Sequence, residues 1–103
     1  MPKINLPLIS VIMNCHNGAR YFKQSIKSLL NQKYNNWELI FWDNKSTDSS
    51  KKILLSFKDK RIKYFKSKNF LSLYKARNLA IKKAKGKYVS FLDTDDWWAS
   101  NKL

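Results

Sequence analysis

An open α/β sheet is what these 103 residues specify on first reading: Rossmann-like, parallel, of about four strands, with helices on both faces. Apolar runs of strand length alternate with amphipathic stretches of helix length, the order that builds parallel sheets through right-handed crossovers. Most of the strand-like runs are nearly continuous in β-branched and aromatic residues, as in strands covered on both sides. Five of the seven acids (Asp43, Asp48, Asp93, Asp95 and Asp96) fall at or just beyond the ends of two such runs.

The elements follow in chain order. "LISVIMN" (8–14), "WELIFWD" (37–43) and "YVSFLD" (88–93) read as interior strands. "IKYFK" (62–66) alternates apolar and basic, as an edge strand does. Phe22, Ile26, Leu29 and Leu30 recur at helical spacing with Lys23 and Lys27 opposite. "STDSSKKILLSF" opens with capping residues and then offers Ile53, Leu54 and Phe57. Leu73, Ala76, Ala80 and Ala84 form a third stripe, with Gly86 as the helix stop. "WWASNKL" (97–103) reads as the start of another helix, and Trp97 and Trp98 as candidates for exposed apolar surface.

Composition narrows the classes. With 44% hydrophobic residues, two Gly and two Pro, the chain can bury a core and forms at most one domain. No apolar run is long enough to span a bilayer, and the N-terminal segment lacks the pattern of a secretory signal. One cysteine, Cys15, allows no internal disulfide, which suits a reducing cytoplasm. The formal charge of +14 comes from 21 cations, only three of them Arg. Scattered Lys reads mainly as solvated helix surface, with attraction to an acidic membrane as a second consequence.

In an open parallel sheet, ligands bind beyond the carboxyl ends of the strands, near the switch in strand order. Asp93 and Asp95, flanking Thr94, sit at such an end. Crowded carboxylates repel one another until a cation joins them, and Mg²⁺ or Mn²⁺ takes hard oxygen ligands. Capping of a following helix accounts for Asp95 or Asp96 but not for all three acids. Arg77 shares the sheet-facing side of the third helix, near the same edge, and suits a bidentate clamp on a diphosphate or an ion pair with Asp93. Asn14, His16 and Asn17 end the first strand, where short polar groups can bond a base or ribose; Asn17-Gly18 also suits a plain turn. Neither glycine-rich phosphate loop is present, so a diphosphate here needs a metal and Arg.

These residues resemble a known family. "ISVIMNCHNGARYFKQSIKSLLNQKYNNWELIFWDNKSTDSS" and "KARNLAIKKAKGKYVSFLDTDD" are similar, in register, to the motifs of the glycosyltransferase family 2, GT-A fold, over residues 6–103. The resemblance implies metal binding by Asp93 and Asp95. It further implies nucleotide-sugar contacts from Asn14, His16, Asn44, Asn69, Arg77, Asp93 and Thr94, and a UDP-sugar donor. Asn44 stands for the second Asp of the D-D-G-S motif, Lys45 for its Gly, His16 for a Tyr, and Leu71 for a Gly that often follows Asn69. The resemblance also implies that residues 1–103 are a single truncated domain, the nucleotide-sugar-binding half, with the acceptor half and catalytic base beyond Leu103. The expected function is metal-dependent sugar transfer to an acceptor hydroxyl of a glycan or lipid-linked glycoconjugate, at the cytoplasmic face of a membrane. Two rivals are a basic module for nucleic acid or anionic membrane, and a flavodoxin-like phosphoacceptor domain.

Overall fold

The structure, a computed structural model, describes residues 6–103. Four strands and three helices alternate: β1 (Ile9–Cys15), α1 (Phe22–Leu30), β2 (Trp37–Asp43), α2 (Ser50–Leu55), β3 (Ile62–Lys66), α3 (Leu73–Lys83) and β4 (Tyr88–Phe91). All pairings are parallel and the order is β3-β2-β1-β4. The expected sheet is therefore present, with β3 at an edge as its alternating pattern required.

Side-chain alternation along the strands divides the core in two. Val11, Met13, Leu39 and Phe41 meet Phe22, Ile26, Leu29 and Leu54 of α1 and α2 on one face. Ile12, Ile40 and Trp42 meet Ala76 and Ala80 of α3 on the other. The small alanines let α3 lie close to the sheet. Between β3 and β4 the chain crosses from one edge to the far side of β1 and changes face as it does so. The switch in strand order thus falls between β1 and β4, where a crevice opens at the carboxyl edge.

Four expectations need correction. Residues 97–103 are not a helix: their backbone groups bond α1 and the turn after it instead, with Trp98 N donating to Ser28 Oγ (3.0 Å) and Leu103 N to Gln32 Oε1 (3.0 Å). That docking buries Trp98 and leaves Trp97 exposed. β4 is the second edge strand rather than an interior one, ends at Phe91, and keeps Tyr88, Val89 and Phe91 largely exposed, because α3 covers β1 and β2 more than β4. Gly86 is not a left-handed helix stop: α3 ends at Ala84 in an extended conformation, and no glycine has positive φ. Gly86 is needed for space, since a Cβ there would lie 2.6 Å from Ser10 N. Leu73, first in the α3 stripe, is exposed at the mouth of a cavity rather than buried under the helix.

Candidate nucleotide and metal site

Each strand delivers its polar residue to the carboxyl edge by alternation. Asn14 and Asn44 follow Ile12 and Trp42 on the α3 face of β1 and β2, and the N-terminus of α3 overhangs them. They share a cavity of about 230 Å³ with His16, Phe70, Leu71 and Leu73. Asn44 is buried with both amide groups engaged: Nδ2 donates to Leu71 O (2.8 Å) and Leu71 N donates to Oδ1 (2.9 Å). It clasps the loop between β3 and α3 to the end of β2. His16 Nδ1 donates to Asn44 O (2.8 Å), and its ring meets Phe70 edge-on at 4.6 Å. Asn14 Oδ1 is buried and has no hydrogen-bond partner. An orphan acceptor beside an aromatic pair in a small cavity fits a planar ring with an N–H donor.

The crevice between β1 and β4 holds the acids. Asp93, Thr94 and Asp95 line an open cavity of about 530 Å³ with Asn14, His16 and Tyr21. Asp93 is well exposed, and its Oδ1 lies 3.9 Å from Arg77 Nη2, a loose pair that a ligand can rearrange. The Arg77 guanidinium also lies over the Phe91 ring at 5.0 Å, so the cation leans onto β4, as its place on the helix suggested. No hydrogen bond or ion pair among the described residues occupies the Asp95 carboxylate. Asp96 turns away: its Oδ1 accepts from Trp97 N (2.8 Å), and it lines a neighbouring hollow with Arg20 and Lys23.

No group of three His, Cys, Asp or Glu suited to a metal occurs among the described residues. Two accessible carboxylates facing one cavity do suit Mg²⁺ or Mn²⁺, whose shell is completed by phosphate and water. Asn69 is exposed on the 67–72 loop and lines neither cavity; its carbonyl accepts from Ser67 Oγ (2.6 Å).

One residue the sequence did not single out, Ser25, supports this arrangement together with Gly18 and Asn17. Ser25 is buried in the apolar face of α1, and its hydroxyl reaches the carbonyls of Asp93 (3.1 Å), Thr94 (2.9 Å) and Asp96. Its one proton serves one carbonyl at a time, and the three converge on it. A serine in a stripe otherwise made of Phe22, Ile26 and Leu29 was the available signal. Gly18 lets the first loop approach the acids: a Cβ there would lie 2.9 Å from Cys15 Sγ and 3.3 Å from Thr94 Cγ2. Asn17 takes the left-handed turn (φ 54°), and its Oδ1 accepts from Thr47 N and Asp48 N (2.7 and 3.2 Å), joining the loops after β1 and β2. Burial raises the Cys15 thiol above its usual range, against any role as a nucleophile.

A parallel sheet with its polar residues gathered at the switch point defines an open α/β domain of the ligand-binding kind. The chain belongs to glycosyl transferase family 2, whose model matches residues 10–103. It is 46% identical over 102 residues to an uncharacterized glycosyltransferase of Haemophilus influenzae, covering 97% of this chain and 41% of that protein. It is 42% identical over 96 residues to the Escherichia coli UDP-Glc:alpha-D-GlcNAc-diphosphoundecaprenol beta-1,3-glucosyltransferase WfgD, covering 93% and 38%. The chain thus spans about two-fifths of these relatives. Among solved structures, S. aureus TarS 1–349 in complex with UDP superposes with a TM-score of 0.87 at 29% identity, covering 92% of this chain and 29% of that one. The mannosyltransferase PcManGT of Pyrobaculum calidifontis, in complex with GDP-Man and Mn2+, shares the fold at a TM-score of 0.84 and 22% identity, covering 91% and 29%.

Proposed function

We propose that this chain is the donor-binding half of a metal-dependent glycosyltransferase. The donor is a UDP-sugar and the acceptor a hydroxyl of a surface polysaccharide or lipid-linked glycan. The observation that carries the reading is the pair of accessible carboxylates, Asp93 and Asp95, facing one crevice with Arg77 beside them at the switch in strand order. TarS with UDP and WfgD with its diphosphoundecaprenol acceptor support the donor and acceptor classes.

Asp93 and Asp95 would hold Mg²⁺ or Mn²⁺, and Arg77 would turn from Asp93 onto the diphosphate. When bound, the cation offsets the charge that develops on the leaving diphosphate. The small cavity takes the base, with Asn14 Oδ1 accepting its N–H and the His16–Phe70 pair packing against its ring. Asn44 shapes that cavity by fixing Leu71. Thr94 sets the spacing of the two acids, and Asn69 lies on the 67–72 loop that borders the base cavity. The acceptor and its general base belong to a further part of the protein, so residues 1–103 bind donor without efficient transfer. The protein works on the cytoplasmic side, in peripheral contact with the inner face of the membrane.

Calorimetry with UDP and Mn²⁺ tests the site. Wild type should bind only with metal present, and Asp95→Ala should abolish the metal-dependent part. Equal binding by the two proteins would overturn the assignment. A purely basic module would ignore both acids and bind polyanions with steep salt dependence.

A further inference from the structure

Charge is divided along the carboxyl edge. The acids stand at the β4 end, while at the β2–β3 end Lys45, Lys66 and Lys68 surround an open cleft of about 470 Å³ that no acid lines. None of the three ammonium groups is in an ion pair among the described residues. Neighbouring carboxylates are committed elsewhere. Asp43 is buried and accepts from Tyr64 Oη (2.6 Å) and Ser46 N (2.8 Å); Asp48 accepts from Ala19 N (3.2 Å) and Ser50 N (3.0 Å). Three cations around one concavity repel one another, and an anion among them relieves the repulsion.

The surface beside the cleft is apolar. The chain runs from Lys66 and Lys68 into Phe70, Leu73 and Tyr74, exposed by 61%, 57% and 76%. The Asn44–Leu71 clasp holds this run against the loop that carries Lys45. Lysines next to exposed aromatic and aliphatic side chains suit the boundary between phosphate headgroups and acyl chains. Nucleic acid is a poorer match, because Arg is absent from the cleft. Arg61 pairs with Asp59, Arg77 with Asp93, and Arg20 lines the hollow beside Asp96.

We propose that Lys45, Lys66 and Lys68, with the apolar run that follows them, seat this protein on an anionic phospholipid bilayer. Headgroup phosphates enter the lysine cleft, and Phe70, Leu73 and Tyr74 meet the interface. This rests on the membrane contact proposed above and gives it a surface and an orientation, with the base cavity, which Phe70 and Leu73 also line, beside that run and the acids at the far end of the same edge.

Co-sedimentation with phosphatidylcholine vesicles, with and without phosphatidylglycerol, tests it. Wild type should bind only the acidic vesicles. The triple variant Lys45→Ser, Lys66→Ser, Lys68→Ser should partition roughly a hundredfold more weakly. Lys27→Ser, Lys33→Ser, Lys52→Ser, with the same change in net charge at exposed sites elsewhere, should lose far less. Equal losses in the two triple variants would overturn the proposal, leaving only diffuse attraction. So would binding to single-stranded RNA in preference to acidic vesicles. UDP–Mn²⁺ calorimetry on the cleft variant reports its folding and keeps the readings apart. Asp95→Ala should fail there while keeping vesicle binding, and the cleft variant should do the reverse.

Discussion

Ser25 shows how one buried hydroxyl can govern a candidate metal site that it does not touch. Its bonds to the carbonyls of Asp93, Thr94 and Asp96 tie the acidic loop to α1. Ser25→Ala leaves those carbonyls to compete for fewer donors, at a cost of about 1–2 kcal/mol in urea denaturation. It should also weaken Mn²⁺-dependent UDP binding roughly tenfold, since supporting residues set the geometry of ligands. Ser28→Ala is the comparison: its hydroxyl accepts from Trp98 N, so it should loosen residues 97–103 with less effect on UDP binding. Asp93, Asp95 and Arg77 were legible in the sequence because each is a charge out of place. Ser25 and the Asn44 clasp were not, because a side chain that binds a distant carbonyl leaves no periodic trace. Phe70 was invisible for a related reason: its role comes from the ring of His16, 54 positions earlier in the chain and met only in the fold.

Among the elements, the β-α-β order and the edge position of β3 could be read from spacing, since alternation and helical period are local. The fate of residues 97–103 could not. "ASNK" is compatible with a helix, but Gln32 and Lys33 offer its backbone better partners, with Gln32 Nε2 donating to Ala99 O (2.6 Å) and Lys33 N to Ser100 O (2.8 Å). Nor does an apolar run such as "YVSF" say whether anything covers its second face. The turn into β4 makes a sharper prediction. Gly86 N donates to Ser10 Oγ (2.8 Å), and a Cβ at Gly86 would lie 2.6 Å from both Ser10 N and Ser10 Oγ. A strand backbone in mid-sheet cannot move aside, so Gly86→Ala should destabilise by about 2–3 kcal/mol. Gly18→Ala meets side-chain atoms, which can give, so it should lower thermal stability less. It pushes on Thr94, however, and should weaken UDP–Mn²⁺ binding more than Gly86→Ala does. Melting curves and calorimetry on the two variants test this ordering.

For the molecule as a whole, carboxylates and excess positive charge make acid the weak direction. Glu38 is buried where the strands begin, and burial alone would raise its pKa. Hydrogen bonds from Lys63 Nζ (2.8 Å), Lys85 N (2.6 Å) and Ser10 Oγ (2.5 Å) outweigh that and hold it below its ordinary 4.5. Burial likewise opposes Asp48, and bonds from Ser50 and Ala19 lower it below 3.8; Asp59 is lowered chiefly by the Arg61 side chain. A depressed folded pKa contributes stability that is complete above the unfolded value and is lost as pH falls through the folded one. Stability should therefore hold from neutrality to about pH 5 and then decline steeply below the ordinary values of these three groups. Glu38→Gln should lower the neutral plateau and flatten the decline. Protonation also removes the negative charges that offset 21 cations, so self-repulsion grows as these bonds fail. Salt separates the two causes, because it screens exposed lysines over about 8–10 Å near physiological strength but reaches buried Glu38 much less. Added sodium chloride should raise stability at pH 7 and move the acid midpoint downward, leaving the difference between wild type and Glu38→Gln nearly unchanged. If salt removed that difference, the buried carboxylate would be acting as one more surface charge rather than as the tie between β1, β2, β3 and the turn into β4.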